Sequence, residues 1–282
     1  MTCYRLGLTG YPLGHSRSPE LHRGFLARCG LCGEHRLYEV APDRPEALRA
    51  LLEALRRGEI HGLNVTIPHK TRILPWLDAL TPAAAAIGAV NTLWAENGRL
   101  WGDNTDAPGF LHDLRARFGA WAARPRRARV LGAGGAARAV VYALLNAGWE
   151  VAVAARRLEQ AQALCAALET AAGRSPAPRC RPLPWARRAA GAPQADLIVN
   201  ATPLGMAPRP EASPWPPEAA FPPAARVYDL VYNPADTRLL QQARAAGLPA
   251  ANGWGMLAAQ AALAFHRWTG CAVTVDNRPQ KP

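Results

Sequence analysis

The segment from Leu63 to Lys70, Leu-Asn-Val-Thr-Ile-Pro-His-Lys, contains the side chains best suited to chemistry in this chain. An apolar strand delivers an amide, a hydroxyl and an ammonium group around a proline turn, and buried polar groups of this kind need partners. Of the 33 basic residues, only Lys70 and Lys281 are lysines. An ammonium can release its proton near neutral pH and a guanidinium cannot, so Lys70 is a candidate general acid–base.

Two further segments, Gly88–Thr92 and Gly102–Asp106, place polar side chains after small residues. Each could form an Asx turn and nothing more. Ser16 and Ser18 precede a predicted helix, where two hydroxyls and free helix-start amides could hold a carboxylate. Ser18 followed by proline is equally typical of a helix N-cap. Taken together, these groups predict the polar lining of a site for a polyhydroxylated acid.

A glycine-rich turn, Gly132-Ala133-Gly134-Gly135-Ala136, follows an apolar strand and opens a helix, which is the context of a dinucleotide-binding fingerprint. Glycines let the backbone approach a pyrophosphate, and the helix start offers free N–H groups to it. The next strand ends in Ala155-Arg156-Arg157, without the acid that binds the ribose of NAD. Two guanidinium groups suit a 2′-phosphate, so NADP is the predicted cofactor.

Hydrophobic patterning indicates which elements position these groups. Strands are predicted over 4–10, 34–39, 62–66, 128–131, 150–154, 197–200 and 227–230, and helices over 19–29, 44–57, 136–147, 158–171 and 256–269. This alternation predicts open α/β sheets with parallel connections, and the second run is typical of a dinucleotide-binding βαβ series. The Pro- and Arg-rich stretches 173–193 and 207–223 are expected to be exposed loops.

Composition restricts the class of protein further. A chain of 282 residues is comfortable for two domains, and no stretch approaches the ~18 uncharged apolar residues of a membrane span. The net charge of +12 is spread along the chain without a recognition element for nucleic acid. Because the start of the sequence lacks a signal-peptide pattern, we expect a cytoplasmic protein whose six cysteines are reduced. Cys29 and Cys32 have the spacing of half a zinc site, but a lone pair is weak evidence, and no metal is predicted.

Eight motifs in order give the chain a resemblance to the shikimate dehydrogenase family along nearly its whole length. They are Ser16–Pro19, Asn64–Lys70, Gly88–Thr92, Asn104–Asp106, Gly132–Ala137, Asn200–Met206, Tyr228–Pro234 and Gly253–Gln260. The resemblance implies an NADP-dependent enzyme that interconverts 3-dehydroshikimate and shikimate in aromatic amino acid and chorismate biosynthesis. It also implies a substrate domain, 1–107 completed by 252–282, a Rossmann-type NADP domain, 108–251, and a cleft between them.

The resemblance also assigns roles to individual residues. Lys70 and Asp106 would form the catalytic pair. The substrate would be bound by Ser16, Ser18, Asn64, Thr66, Asn91, Asp106, Tyr232 and Gln260. NADP would be held by Gly132, Ala133, Gly134, Gly135, Ala136, Ala155, Arg156, Arg157, Leu230 and Gly253. Family members commonly have Asn-Arg-Thr where this chain has Ala155-Arg156-Arg157, so recognition of the phosphate is expected to differ in detail.

Several alternatives stay open at the level of sequence. A quinate/shikimate dehydrogenase of broader specificity and an aminoshikimate-type relative both share these motifs. A catalytically inactive NADP-binding regulator would not need the Lys70 and Asp106 pair, and a nucleic-acid binder would need a basic recognition element. The expected partners are therefore the small-molecule substrate and cofactor, with no nucleic acid or membrane, in a monomer or homodimer.

Overall fold

The computed structural model describes residues 2–171, 177–190 and 195–275. These residues form two compact units, each described here by itself. The first unit contains the described part of Met1–Gly109 and Ala258–Asp276, and the second the described part of Phe110–Leu257. Each unit contains a six-stranded sheet and helices, so the prediction of two open α/β domains is confirmed.

The first unit holds a mixed sheet. Its strands are β1 (Tyr4–Gly10), β2 (Gly33–Glu39), β3 (Gly62–Val65), β4 (Ala79–Leu80), β5 (Thr92–Glu96) and β6 (Arg99–Asp103), in the order β2-β1-β3-β5-β6-β4. Its helices are α1 (Ser18–Arg28), α2 (Pro45–Arg56), α3 (His69–Arg72) and α4 (Pro82–Ile87). Helix α2 forms because leucines at helical spacing create one apolar face, which is buried: Leu48, Leu51, Leu52 and Leu55.

The expectation of parallel connections is wrong for part of this sheet. Strand β5 is antiparallel to both β3 and β6. Strands β5 and β6 are joined at Asn97 and Gly98, whose φ angles are +52° and +74°. Asn-Gly is the sequence that favours such a two-residue hairpin turn, because both residues tolerate positive φ. The hairpin places the start of β5 between the end of β3 and the end of β6, where the candidate site begins.

The second unit holds an entirely parallel sheet. Its strands are β7 (Arg127–Leu131), β8 (Glu150–Ala155), β9 (Cys180–Pro184), β10 (Leu197–Asn200), β11 (Arg226–Asp229) and β12 (Ala250–Asn252), in the order β12-β11-β10-β7-β8-β9. Helices α6 (Gly135–Asn146), α7 (Leu158–Ala171) and α8 (Arg238–Ala245) belong to this unit, while α5 (Asp106–Phe118) and α9 (Trp254–Thr269) contain the unit boundaries. This strand order is that of a dinucleotide-binding fold.

The prediction of exposed loops over 173–193 and 207–223 is wrong in two places. Strand β9 lies inside 173–193, at the edge of the sheet beside β8. Its prolines disfavour a strand except at such an edge, so the sequence did not predict it. In 207–223, Trp215 is 1% exposed and packs in the core with Leu131, Ile198 and Val227. Residues 173–176 and 191–193 of the first stretch lie outside the described residues.

The cysteines are not reduced in this structure, contrary to expectation. Three disulfides form, Cys3–Cys32, Cys29–Cys271 and Cys165–Cys180, with Cα–Cα distances of 4.6, 6.5 and 5.2 Å. These separations suit disulfides. Cys3 and Cys32 immediately precede paired residues of β1 and β2, which is tertiary information that spacing alone does not carry.

Among the helices of the described residues, none combines the length and apolarity needed to cross a membrane. No group of three or more His, Cys, Asp or Glu side chains within the same residues is arranged to hold a metal ion.

Candidate active site

Lys70 lies on the short helix α3, directly after the proline turn that follows β3. The neighbouring His69 is buried, and its Nε2 lies 2.8 Å from the carbonyl oxygen of Val40. The carbonyl of Lys70 accepts a hydrogen bond from the backbone N–H of Val90 at 2.8 Å. These contacts hold the main chain around Lys70 in place, so the position from which its side chain extends is fixed.

The ammonium of Lys70 donates to Oδ2 of Asp106 at 2.5 Å. The two side chains are 13% and 6% exposed, so the pair is shielded from solvent but the lysine is still reachable. Asp106 is the first residue of α5, where a carboxylate interacts favourably with the helix dipole. An ammonium carries three protons, so the contact with Asp106 leaves donors that a bound substrate could meet.

Asn91 connects this ion pair to its surroundings. Its Nδ2 donates to Oδ1 of Asp106 at 3.0 Å and to Oε1 of Gln260 at 2.9 Å, and its Oδ1 accepts from the backbone N–H of Thr105 at 2.8 Å. All four of the residues around Lys70 in this network are buried. A buried network whose members satisfy one another holds its side chains in one arrangement. Asn91 therefore orients the carboxylate that meets Lys70.

Asn64 is the one predicted substrate residue with a buried acceptor left over among the described residues. Its Nδ2 donates to the backbone carbonyl of Asn91 at 3.0 Å. Its Oδ1 is buried and has no hydrogen-bond partner in the same part of the chain. Leaving such an oxygen unpaired costs roughly 1–3 kcal/mol. Because this oxygen has no exposed surface, a ligand could reach it only if neighbouring side chains moved.

The other predicted substrate residues of the first unit lie outside the ion-pair network. Oγ of Ser16 accepts from the backbone N–H of Ser18 at 3.3 Å, just where α1 begins, and Ser18 is buried. Thr66 is half-buried directly after β3, with its backbone N–H bonded to the carbonyl of Thr9 at 2.9 Å. Tyr232 belongs to the second unit, where its ring meets Trp254 edge-on with centroids 6.4 Å apart.

The glycine turn of the second unit has the geometry that a dinucleotide needs. Gly132 has a φ of +113°, and a Cβ there would lie 2.8 Å from the carbonyl oxygen of Ala201. Around Gly134, a Cβ would meet no atom within 4 Å, so the backbone is open to an approaching ligand. Helix α6 starts at Gly135 without a side-chain cap, and a half-buried Ala136 follows. Ala133 completes the turn, which thus presents free N–H groups to an anion.

The end of β8 carries the residues predicted to select the cofactor. Ala155 is buried at the last position of the strand, and Arg156 and Arg157 are exposed directly after it. This edge of the sheet also contains the glycine turn, because β7 and β8 are parallel neighbours. The guanidinium groups can therefore reach a phosphate at the carboxyl ends of these strands.

Gly253 is in close contact with Leu230, and both were predicted to lie near the cofactor. A Cβ at Gly253 would come within 2.1 Å of the carbonyl oxygen of Leu230, so no other residue fits without moving the backbone. The N–H of Gly253 donates to the carbonyl of Val231 at 3.2 Å. The loop after β11 and the end of β12 are thus held together.

Asn200 and Asp229 lie inside two of the eight motifs, and the sequence predicts no role for either. Both are completely buried. Asn200 donates to Asp229 at 2.8 Å, and the other carboxylate oxygen of Asp229 accepts from the hydroxyl of Thr237 at 2.6 Å. Burial raises the pKa of Asp229 to about 6, although these hydrogen bonds oppose the rise. The pair ties together the loops after β10 and β11, and a short polar residue ending each strand was the available signal.

Comparison with known proteins agrees with this arrangement. Residues 8–93 match the family model for the shikimate dehydrogenase substrate binding domain, and residues 253–276 match that for the shikimate 5'-dehydrogenase C-terminal domain. The NADP(+)-dependent shikimate dehydrogenase of Azorhizobium caulinodans is 42% identical over 273 residues, which cover 96% of this chain and 92% of that protein.

Two solved structures are also similar. Shikimate 5-dehydrogenase from Thermus thermophilus, in complex with NADP(H) and shikimate, has a TM-score of 0.81 and 42% identity, covering 95% of this chain and 94% of that one. Quinate dehydrogenase from Corynebacterium glutamicum, in complex with NAD, has a TM-score of 0.84 and 32% identity, covering 95% and 94%.

A parallel sheet of this strand order with a glycine turn at an uncapped helix start defines the class of dinucleotide-binding proteins. Within that class, the chain belongs to the shikimate dehydrogenase family.

Proposed function

We propose that this chain is an NADP-dependent shikimate dehydrogenase that interconverts 3-dehydroshikimate and shikimate, and that Lys70 and Asp106 handle the proton. The observation that carries the proposal is the shielded Lys70–Asp106 pair, held by Asn91 in the unit that matches the family's substrate-binding domain. The choice of substrate and cofactor follows the names and bound molecules of the relatives described above. The proposed reaction belongs to the biosynthesis of chorismate and the aromatic amino acids.

Substrate binding is assigned to the polar groups of the first unit together with Tyr232. Asn64 is assigned to a ring hydroxyl, as the family resemblance implies. Ser16 and Ser18 present hydroxyls at the start of α1, where a carboxylate is favoured. Thr66, Asn91, Asp106 and Gln260 supply further donors and acceptors. Holding the carboxylate and the hydroxyls together determines which ring carbon reacts.

Proton handling is assigned to Lys70. In reduction of the ketone, negative charge develops on the carbonyl oxygen, and the ammonium stabilises that charge and donates a proton to the oxygen. In oxidation, the neutral amine accepts the proton of the hydroxyl. Asp106 keeps the ammonium in place through its Oδ2 and accepts from a substrate hydroxyl, while Asn91 keeps the carboxylate oriented.

The second unit fits the cofactor. NADPH supplies the hydride when it is bound. The turn Gly132–Ala136 offers its amides to the pyrophosphate, and Arg156 and Arg157 offer guanidinium groups to the 2′-phosphate. Leu230 and Gly253 form a rigid backbone contact for the nicotinamide end. The open space around Gly134 is the structural observation that supports this fit.

A broader quinate/shikimate dehydrogenase is the second candidate. It is favoured by the similarity to the quinate dehydrogenase from Corynebacterium glutamicum, which was solved with NAD. The arginines after β8 favour NADP instead, because NAD has no 2′-phosphate for them to bind.

An absorbance assay at 340 nm, crossing shikimate and quinate with NADP and NAD, decides between these functions. We expect kcat/KM to be highest for shikimate with NADP. A higher value for quinate with NAD would favour the second candidate, and the absence of turnover with all four combinations would contradict both.

A further inference from the structure

A second basic site lies in the second unit, at the amino ends of the strands. A cavity of about 60 Å³ there is lined by four arginines, Arg127, Arg129, Arg179 and Arg181, and by one acid, Glu150. The glycine turn lies at the opposite, carboxyl end of β7. Five residues of strand at about 3.3 Å each separate the two ends, so this cavity is distinct from the residues assigned to the cofactor.

The register of the sheet gathers these arginines. Arg129 on β7 pairs with Ala152 on β8, which pairs with Arg181 on β9. Residues paired across parallel strands point to the same face of the sheet. The two arginines therefore flank a small alanine on one face, and the small side chain leaves space between two guanidinium groups.

Arg129 is only 2% exposed, which is unusual for an arginine. Its Nη1 donates to the backbone carbonyls of Arg188 at 2.7 Å and Ala190 at 2.9 Å. Burial, and next the nearby charge of Arg181, lower the pKa of Arg129. An anion bound between Arg129 and Arg181 would stabilise the charged form of Arg129 against both burial and the repulsion from Arg181.

Arg179 also lines the cavity. Its Nη1 donates to the carbonyl of Leu145 at 2.9 Å. Its Nε is buried and has no hydrogen-bond partner among the described residues. Within the described part of the chain, neither the Arg179 nor the Arg181 side chain forms an ion pair, whereas Nε of Arg127 lies 3.9 Å from Oδ2 of Asp196.

We propose that this cavity, lined by Arg127, Arg129, Arg179 and Arg181, binds a phosphate-type oxyanion. Guanidinium groups match the oxygens of phosphate in bidentate geometry. A cavity of about 60 Å³ exceeds the roughly 10–15 Å³ that holds one water, and it accommodates a tetrahedral anion. Two sources share this chemistry, free inorganic phosphate and a phosphate monoester.

The test is isothermal titration calorimetry on the full chain saturated with NADP, which occupies Arg156 and Arg157. Inorganic phosphate and glycerol 3-phosphate are titrated separately, with ionic strength held constant by sodium chloride. We expect one saturable site for at least one of the two, and binding of only one identifies the source. Saturating anion should also raise the unfolding temperature by several degrees, because it binds the folded state.

The matched variants are Arg179→Gln/Arg181→Gln and, as control, Arg115→Gln/Arg238→Gln, which removes two exposed arginines of the same unit. We expect at least a tenfold loss of affinity in the first and no change in the second. Arg181→Gln alone is a further variant. Because Arg181 is exposed, this substitution should leave the fold intact. The proposal is overturned if neither anion binds saturably to the unmodified chain, or if Arg181→Gln and the control bind equally well.

Discussion

The ammonium nitrogen of Lys70 lies 2.5 Å from Oδ2 of Asp106, although 36 residues separate the two in sequence. Lys70 is placed by α3 and Asp106 by the start of α5, and Asn91 at the edge of β5 fixes the carboxylate between them. Residues from three separate segments of the first unit therefore meet at the ammonium group of Lys70.

Arg156 and Arg157 should select the cofactor. Replacing both with alanine should raise KM for NADPH by roughly 10- to 1000-fold, the scale of one to three lost charge-assisted contacts. KM for NADH should barely change, because NADH lacks the 2′-phosphate. Steady-state kinetics with both cofactors measure this, with Arg238→Ala as the control for an exposed arginine of the same unit. Equal weakening of both cofactors would show that the arginines are structural.

Gly134 and Gly253 should respond differently to alanine. At Gly134 the added Cβ meets no atom, so Gly134→Ala should leave the unfolding temperature nearly unchanged while weakening NADP, whose approach it obstructs. At Gly253 the Cβ would lie 2.1 Å from the carbonyl of Leu230, so Gly253→Ala should destabilise the fold. Thermal unfolding and NADP titration of both variants test this. Unchanged NADP affinity in Gly134→Ala would exclude the turn from cofactor binding.

His22 and His35 form a buried stacked pair that should make the first unit sensitive to acid. Their ring centroids lie 4.4 Å apart, and both residues are buried. Burial lowers the pKa of His35 from 6.5 to about 4. Burial, and next the charge of His35, lower the pKa of His22 well below its usual value.

Because these folded-state pKa values lie below the unfolded ones, the unfolded chain binds more protons between about pH 4 and 6.5. The free energy of unfolding should therefore be highest above pH 6.5 and fall as the pH drops, with His35 alone contributing a loss of about 3 kcal/mol. His35→Leu should flatten this dependence in urea unfolding, and the exposed His266→Leu should not. Buried Asp229, whose pKa is raised, acts in the opposite direction, so the difference between variant and unmodified chain is the quantity to compare. Parallel pH curves for His35→Leu and the unmodified chain would contradict the assignment.

The disulfides should stabilise the chain to different extents. Cys29–Cys271 closes 242 residues and Cys165–Cys180 only 15, so loop-closure entropy predicts about 5 and about 3 kcal/mol respectively. Cys29→Ser/Cys271→Ser should therefore lower the unfolding temperature more than Cys165→Ser/Cys180→Ser. Alkylation and mass spectrometry of the unreduced chain should detect no free thiol. Six alkylated cysteines before reduction would show that the bonds do not form.

Local sequence was sufficient for most elements of the fold. The strand before Gly132 and the helix after it were predictable because periodicity and glycine chemistry are both local signals. Strand β9 was missed because its prolines disfavour a strand except at an edge, and its edge position became visible only in the sheet. The hairpin at Asn97 and Gly98 was missed although its Asn-Gly signal was present.

The residues of the candidate site could be identified from the sequence, but the contacts between them could not. The polar residues near Lys70 were identifiable from sequence, yet nothing local indicated that Asn91 would bond both Asp106 and Gln260, 169 residues beyond it. Disulfide pairing was out of reach for the same reason, because it depends on strand register and on where α9 ends. The role of Asp229 follows from its burial, which short motifs do not reveal.

The most direct test of the central claim is the turnover of Lys70→Arg, which keeps the charge but removes a group able to give up its proton. We expect kcat to fall by roughly 10²- to 10⁴-fold, as for a lost general acid–base, with Lys70→Ala losing at least as much and KM for shikimate changing far less. Arg72→Lys, the reverse exchange at an exposed position of the same helix, should keep full activity. A Lys70→Arg enzyme that retains most of its kcat would contradict the account, because Lys70 would then act as a fixed charge and not as the proton carrier.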